Sequence, residues 1–343
     1  MLKRLTAIGL MLLLLMSASC AKKPEEQPKD EPQDEVQEPV QPASALNPLT
    51  GLYEYDGILN VRPVAVMINN DVRAQDAQAG LPEADIIYET EIEGGETRLM
   101  AVFQDAQKVE NIGTIRSSRY AYIDLAMGHN AVYIHRGCDE RYAGPHLKDL
   151  DHIDIHEGNY GYRLKNGLAL EHTLYTKGET LWDGICSRFS TTTLEDVEPW
   201  QNFAAEGEKV TLTGGAADKV TVAFSGNFKS IFVYDEETGL YERNFKSKIP
   251  TEYFTKESTK VKNVVVCLTN IVNYPDGEHR NIPLEGGDGY YITNGTFRAI
   301  KWSKGDASSP LKFTYEDGSE FVMSPGNTWV CFSSERYSVP TFE

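Results

Sequence analysis

Arg116, Ser117 and Arg119 lie close together in the chain and have the residue types needed to hold an anion. They fall at the start of a predicted helix, where unpaired backbone N–H groups and the helix dipole favour negative charge. Two guanidiniums beside such a terminus can clamp a phosphate or a carboxylate in a forked geometry. An ion-pair network is the competing reading, because Glu89, Glu91, Glu93 and Glu96 lie on or beside the preceding strands. His135 closes a predicted strand near Cys138, Asp139 and Glu140. A Cys/His nucleophile pair uses those residue types if they meet in space, and a histidine ending a strand gives the same string. His152, Asp154 and His156 alternate with Ile153 and Ile155, which in an extended strand puts three metal-capable side chains on one face. A half-exposed strand alternates in the same way without a metal. His172 and Glu91 are the remaining candidates for moving a proton.

The motif inventory argues against chemistry at these residues. There is no G-x-S-x-G elbow, Walker loop, H-E-x-x-H or dinucleotide fingerprint. The expectation is therefore no cofactor and no metal, with catalysis less favoured than binding. A formal net charge of −18 disfavours nucleic acid and anionic lipid headgroups as ligands of the surface as a whole. Cys138, Cys186, Cys267 and Cys331 are widely spaced and show no C-x-x-C. Two disulfides would allow three pairings, but the apolar runs around Cys267 and Cys331 fit buried free thiols.

The elements that position these residues follow from hydrophobic patterning. Continuous apolar runs at Val64–Ile68, Ala84–Thr90, Arg98–Phe103 and Asn130–His135 predict four strands. Between the last two, a helix is predicted with Ser117 or Ser118 as its cap, stripes at Ala121/Leu125 and Tyr122/Ala126, and Gly128 as a left-handed stop. From Val210 onward the pattern changes to short strands at Val220–Phe224, Ser230–Tyr234, Val261–Leu268, Tyr290–Thr293, Leu311–Tyr315, Phe321–Met323 and Trp329–Phe332, separated by turns such as Asn294-Gly295 and Asp317-Gly318. Trp302 and Trp329 read as core plugs.

The first residues specify location. Lys3 and Arg4, the apolar run Leu5–Met16, and Ser17-Ala18-Ser19 before Cys20 form a short lipoprotein signal peptide, ending at a cysteine to which a lipid such as palmitate is attached. A plain secretory peptide with an incidental cysteine is the alternative. The segment from Ala21 to Ala45, with five prolines among Glu, Gln, Asp and Lys, is expected to be a disordered tether, which a membrane-anchored body needs.

Several strings together are similar to one family. They include Asn47-Pro48-Leu49-Thr50-Gly51, Arg62-Pro63-Val64-Ala65-Val66-Met67-Ile68-Asn69-Asn70, Leu81-Pro82-Glu83-Ala84-Asp85, the string Gly113 to Arg119, Trp302-Ser303-Lys304, and Pro325-Gly326-Asn327-Thr328-Trp329-Val330. They resemble the YerB-like lipoproteins, whose two characteristic regions are domains of unknown function. The resemblance extends to Arg163 and His172. It departs at Thr114, where the family tends to have Pro, and at Phe245–Glu252, where the family shows a Gly, His and Asp series. It implies an α+β fold, a layered sheet, sheet and helix sandwich with a mostly antiparallel β C-terminal part, and no established activity.

The expected organisation is a signal peptide over 1–20, the tether over 21–45, a mixed α/β domain over 46–195 and a β-rich domain over 205–335. The functional expectation is a Gram-positive cell-membrane lipoprotein, lipid-anchored on the extracytoplasmic face through Cys20. It would bind or scaffold peptidoglycan, another wall component or an envelope protein such as a wall-synthesis enzyme, using Arg116, Ser117, Arg119, His135, Glu91 and His172. The alternative is an enzyme acting on phosphorylated or acidic wall precursors held by Arg116 and Arg119.

Overall fold

A computed structural model describes residues 45–54, 59–194, 196–337 and 340–343. Cys20 and the signal peptide lie outside the described residues, as does the tether up to residue 44. Pro42–Glu343 forms one compact unit. Its labelled elements are β1 (Val64–Asn69), β2 (Ile86–Glu91), β3 (Thr97–Phe103), α1 (Tyr120–Gly128), β4 (Val132–His135), β5 (His152–Asp154), α2 (Gly178–Arg188), β6 (Lys219–Ala223), β7 (Lys229–Asp235), β8 (Leu240–Phe245), β9 (Asn263–Thr269), β10 (Gly286–Thr293), β11 (Thr296–Ser303), β12 (Lys312–Tyr315) and β13 (Thr328–Ser334).

An 11-stranded sheet carries the body, in the order Gly215–Ala216, β11, β10, β9, β13, β2, β3, β1, β4, β5, with β12 paired to β11. β1, β3 and β9 are buried along their whole length, as expected of apolar strands covered on both faces. The two halves of the sequence meet inside this sheet. β13 pairs parallel with β9 on one side and parallel with β2 on the other, the second register running from Thr328 opposite Ile86 to Phe332 opposite Thr90. The C-terminal strands are thus antiparallel except at β13.

A five-stranded antiparallel sheet, in the order Lys260–Val261, β8, β7, β6, Thr341–Phe342, supplies Val220, Phe232 and Tyr241 to one core cluster. Val66, Ile87, Val266 and Trp329 of the large sheet belong to the same cluster, as do Leu181 and Ile185 of α2. Residues of opposite parity, among them Met67, Tyr88, Val265 and Phe332, cluster with Tyr122, Ile123 and Leu125 of α1. Trp302 and Trp329 are both buried in these clusters.

Several sequence expectations are corrected. α1 begins at Tyr120 with Arg119 in the cap position and no side-chain cap. Ser118 is instead fixed by its N–H to the Gly137 carbonyl and by the Tyr133 hydroxyl, which donates to its Oγ. The left-handed residue after α1 is Asn130, φ 52°, not Gly128. A Cβ at Gly128 would lie 2.7 Å from the Ser309 carbonyl oxygen, so close packing accounts for that glycine. Phe321–Met323 makes only an isolated bridge, Phe203 to Met323. α2, β8 and β11 were missed. In β8 buried and half-buried positions alternate, so charged residues interrupt its apolar signal.

One polar group is sealed between the two large sheets. Glu89, 0% exposed, accepts at Oε1 from Asn70 Nδ2 (3.0 Å) and Thr97 Oγ1 (2.7 Å), and at Oε2 from Ser230 Oγ (2.8 Å) and Trp329 Nε1 (3.0 Å). Arg243 of β8 stands 4.0 Å from Oε1, with its guanidinium carbon 5.4 Å from the centre of the Trp329 ring. Burial pushes the Glu89 carboxyl up, against the opposing pull of Arg243 and of the Thr97, Ser230 and Trp329 hydrogen bonds.

Removing Glu89 leaves Thr97, Ser230 and Trp329 without their acceptor and the buried Arg243 without its counter-charge, whereas removing Arg243 leaves the carboxylate with its four neutral donors. Glu89→Leu is therefore expected to lower the unfolding free energy by about 3–5 kcal/mol and Arg243→Met by less. Urea denaturation of both variants checks the order, and a reversed order contradicts it. A second expectation concerns His129, whose Nε2 shares a 2.6 Å hydrogen bond with the Tyr88 hydroxyl and whose pKa burial lowers from 6.5 to about 4. Between those values the unfolded chain binds a proton that the folded chain does not, so stability falls as pH drops through that window. In His129→Gln, thermal melts across the window should show a shallower slope by about one proton.

Candidate functional site

Strand direction decides where the charged residues gather. β1, β2, β4, β5, β9 and β13 all run the same way, since β1 and β2 are each antiparallel to β3 and the other pairings are parallel. Their carboxyl ends, Asn69, Glu91, His135, Asp154, Thr269 and Ser334, share one edge, the usual position for ligands in sheets with parallel strands. β3 begins at that edge with Thr97 and Arg98. The segment before α1 crosses it: Arg116 N–H donates to the Met67 carbonyl, and the Arg116 carbonyl accepts from Arg136 N–H. Arg73, Arg98, Arg116, Arg119, Arg136, Arg141, Arg163, Arg280 and Arg336 all belong to this edge or its loops, nine of the fourteen arginines in the sequence. The described chain starts at the other edge, where Asn47 Nδ2 donates to Asp85 Oδ1 just before β2.

The arginines differ in how far they are neutralised. Arg119 is taken by Glu93, with Nε and Nη2 donating at 2.8–3.0 Å to a carboxylate in the turn that Gly94 and Gly95 make at φ 74°. Arg280 pairs with Glu91 at 2.7 Å, Arg136 with Asp154 at 3.0 Å, and Arg73 with Asp71, whose pKa the Arg73 hydrogen bond holds down at about 2. Arg98, Arg116 and the peripheral Arg336 have no such partner among the described residues. Arg98, 4% exposed, donates through Nη1 to the Ser117 carbonyl at 2.9 Å, and its Nε has no acceptor. Burial together with Arg119 and Arg116 pushes its pKa down to about 9. Arg116 makes no side-chain hydrogen bond or ion pair among the described residues, and its buried Nε has no acceptor. Burial lowers its pKa while Glu171 opposes the shift.

Arg116 lines a pocket of about 260 Å³ together with Arg136, Arg163, Glu171, Ile115, Leu170 and Leu174. Arg163 is held rigidly, with Nη1 donating to the Leu170 carbonyl and to Thr173 Oγ1. His172 is buried beside it. Asn69 Nδ2 donates to its Nδ1 at 2.7 Å, which leaves the proton on Nε2. The Asn69 amide is oriented by Asp71 N–H, which donates to Asn69 Oδ1. His172 Nε2 has no hydrogen-bond partner, and its nearest charged neighbour is Glu171 Oε1 at 3.6 Å.

The expected constellation is only partly assembled. Arg116 and His172 come together, and Ser117 contributes its backbone carbonyl to Arg98. Arg119 is occupied by Glu93, and Glu91 by Arg280. His135 lies elsewhere: its Nδ1–H donates to the Gly137 carbonyl at 2.8 Å, and Nε2 faces His152 Nδ1 at 3.0 Å. Burial holds both imidazoles below the usual histidine range. Neither His135 nitrogen is free for Cys138, whose thiol faces Glu140 at 3.8 Å and is pushed up by burial and that carboxylate. The geometry therefore rejects a Cys/His nucleophile pair.

The three-ligand metal face is not formed either. His152 bonds His135, Asp154 bonds Arg136 and the Gly137 N–H, and His156 Nδ1–H donates to the Glu157 carbonyl. No group of three metal-capable side chains occurs among the described residues. Cys138, Cys186, Cys267 and Cys331 are all free. Sequence reading missed Arg98, because a charged residue opening an apolar run looks like a strand flank. A cation beside Thr97, with side chains alternating faces, was the available signal.

No described helix is long and apolar enough to cross a membrane. Residues 49–191 match the N-terminal domain, and residues 220–330 the C-terminal domain, of the protein of unknown function DUF3048. The chain is 28% identical over 298 residues to the Bacillus subtilis (strain 168) protein named "Putative lipoprotein YerB", covering 82% of this chain and 84% of that one. The crystal structure of YerB from Bacillus subtilis superposes with a TM-score of 0.71 at 25% identity, covering 83% of this chain and 95% of the other. With both domain matches in chain order and together spanning most of its length, the chain belongs to the DUF3048 family of YerB-like proteins.

Proposed function

We propose that the protein is a membrane-anchored lipoprotein, held on the extracytoplasmic face through a lipid on Cys20, whose folded body binds an anionic component of the cell envelope. Its role is binding or scaffolding, with a wall component or a wall-synthesis enzyme as the partner class. The lipoprotein part is supported by the signal ending at Cys20 and by the name of the Bacillus subtilis relative. The binding part is carried by one observation: Arg116 lines a pocket with Arg136 and Arg163, and its side chain has no hydrogen bond or ion pair among the described residues. A half-buried guanidinium with no direct ion pair is costly to maintain in a chain with ample carboxylates. An external anion supplies the missing charge.

The enzyme reading needs His135, His172 or Glu91 to face the same anion as Arg116 and Arg119. His172 alone approaches it, with Nδ1 held by Asn69, while His135 and Glu91 are bonded to other groups. Binding without turnover is therefore the better-supported reading.

Cys20→Ala is expected to move the chain from the membrane fraction to the soluble fraction of fractionated cells. Retention of most of it on membranes would refute the anchor. Purified cell walls should retain the native chain, and Arg116→Ala should reduce retention roughly 10- to 100-fold, the equivalent of about 1.5–3 kcal/mol for charge-assisted hydrogen bonds. Equal retention of the two would remove the pocket from the binding role.

A further inference from the structure

The lining of the arginine pocket discriminates between kinds of anion. Arg116, Arg136 and Arg163 bring positive charge, Glu171 brings one negative charge, and Ile115, Leu170 and Leu174 form an apolar wall. We propose that the pocket takes the C-terminal carboxylate of a short peptide whose last side chain is small and apolar and which carries an amine. This inference rests on the anion-binding reading above and names its ligand class.

Four observations support it. The pocket of about 260 Å³ has room for an end group such as a carboxylate with a small side chain beside it. Its unsatisfied donor suits a planar, singly charged acceptor: Arg116 offers a free fork, while His172, 1% exposed and not itself part of the lining, keeps an Nε2–H without an acceptor behind Glu171 of the pocket wall. Ile115 and Leu174 are buried behind that fork, and Leu170, at 69%, is the most exposed large apolar side chain among the described residues. Together they offer a hydrophobic contact to a side chain next to the carboxylate.

Acid surrounds the pocket. Glu171 and Glu96 are negative neighbours of Arg116 and Glu157 lies 4.0 Å from Arg163, while Asp71 and Asp154 are already neutralised by Arg73 and Arg136. A phosphodiester chain leaving the pocket would run into these carboxylates and be repelled, whereas a peptide amine would be attracted. The carboxylate fits the arginines and the amine fits the rim.

The test uses the full-length chain purified in detergent and isothermal titration calorimetry. The probes are lysyl-alanyl-alanine with its alanines in either hand, the C-terminal amide of the same peptide, inorganic phosphate, a glycerol-phosphate polymer, and vesicles containing anionic phospholipid. The free-acid peptide should bind, its amide at least tenfold more weakly, and the polymer and vesicles more weakly than the free acid. Glu171→Gln should weaken the peptide severalfold while strengthening phosphate. Arg116→Ala should abolish peptide binding, and because that side chain bonds nothing, its thermal melt should match the native one. Equal binding of acid and amide, or tighter binding of the polymer or vesicles, overturns the peptide assignment while leaving an anion site in place. Retention on cell walls with no response to any of these anions overturns both readings.

Discussion

The body depends on the carboxylate of Glu89. It lies in the dry space between two sheets, where an unpaired charge is prohibitively expensive, and its position is tolerable only because donors arrive from both halves of the chain. Asn70 and Thr97 come from the N-terminal half; Ser230, Trp329 and the nearby Arg243 come from the C-terminal half. Each donor fixes the register of its own strand. The hydrophobic clusters on either face of the large sheet supply most of the attraction, but apolar contacts tolerate sliding and hydrogen bonds do not.

From that register the chemistry at the sheet edge follows. Holding β13 between β9 and β2 keeps six strands pointing one way, so their following loops collect at a single edge. Arginines in those loops then meet carboxylates in neighbouring loops, and most pairs cancel. Arg98 and Arg116 remain because Glu93 is already bidentate with Arg119 and Asp71 with Arg73, while Glu171 stops short of an ion pair with Arg116. A small local positive field thus persists on a protein with a formal net charge of −18.

The sequence made some of this legible and hid the rest for physical reasons. β1, β3 and β9 are buried throughout and mostly apolar, so their runs identified them; in β8 Glu242, Arg243 and Asn244 break the apolar signal and it did not stand out. The helix before β4 was readable from its stripes, but its start was not, because Ser118 is fixed by a contact with the Gly137 turn that no local pattern announces. Arg116 and Arg119 were visible as a pair. Which of them is neutralised depends on the backbone turn at Gly94 and Gly95, a three-dimensional fact. The parallel pairing of β13 with β2 joins residues far apart in sequence and leaves no periodic trace.

That last pairing orders events in time. A chain that emerges N-terminus first, from a ribosome or through a membrane pore, presents β2 and β3 early, yet the strand that must lie beside β2 arrives only with residues 328–334. Until then the edge of β2 is open, Glu89 lacks its Trp329 donor, and the large sheet cannot close. The body's stability is therefore withheld until almost all of the chain has passed. A chain that must thread a narrow channel before folding would need such a delay, and this strand order supplies one.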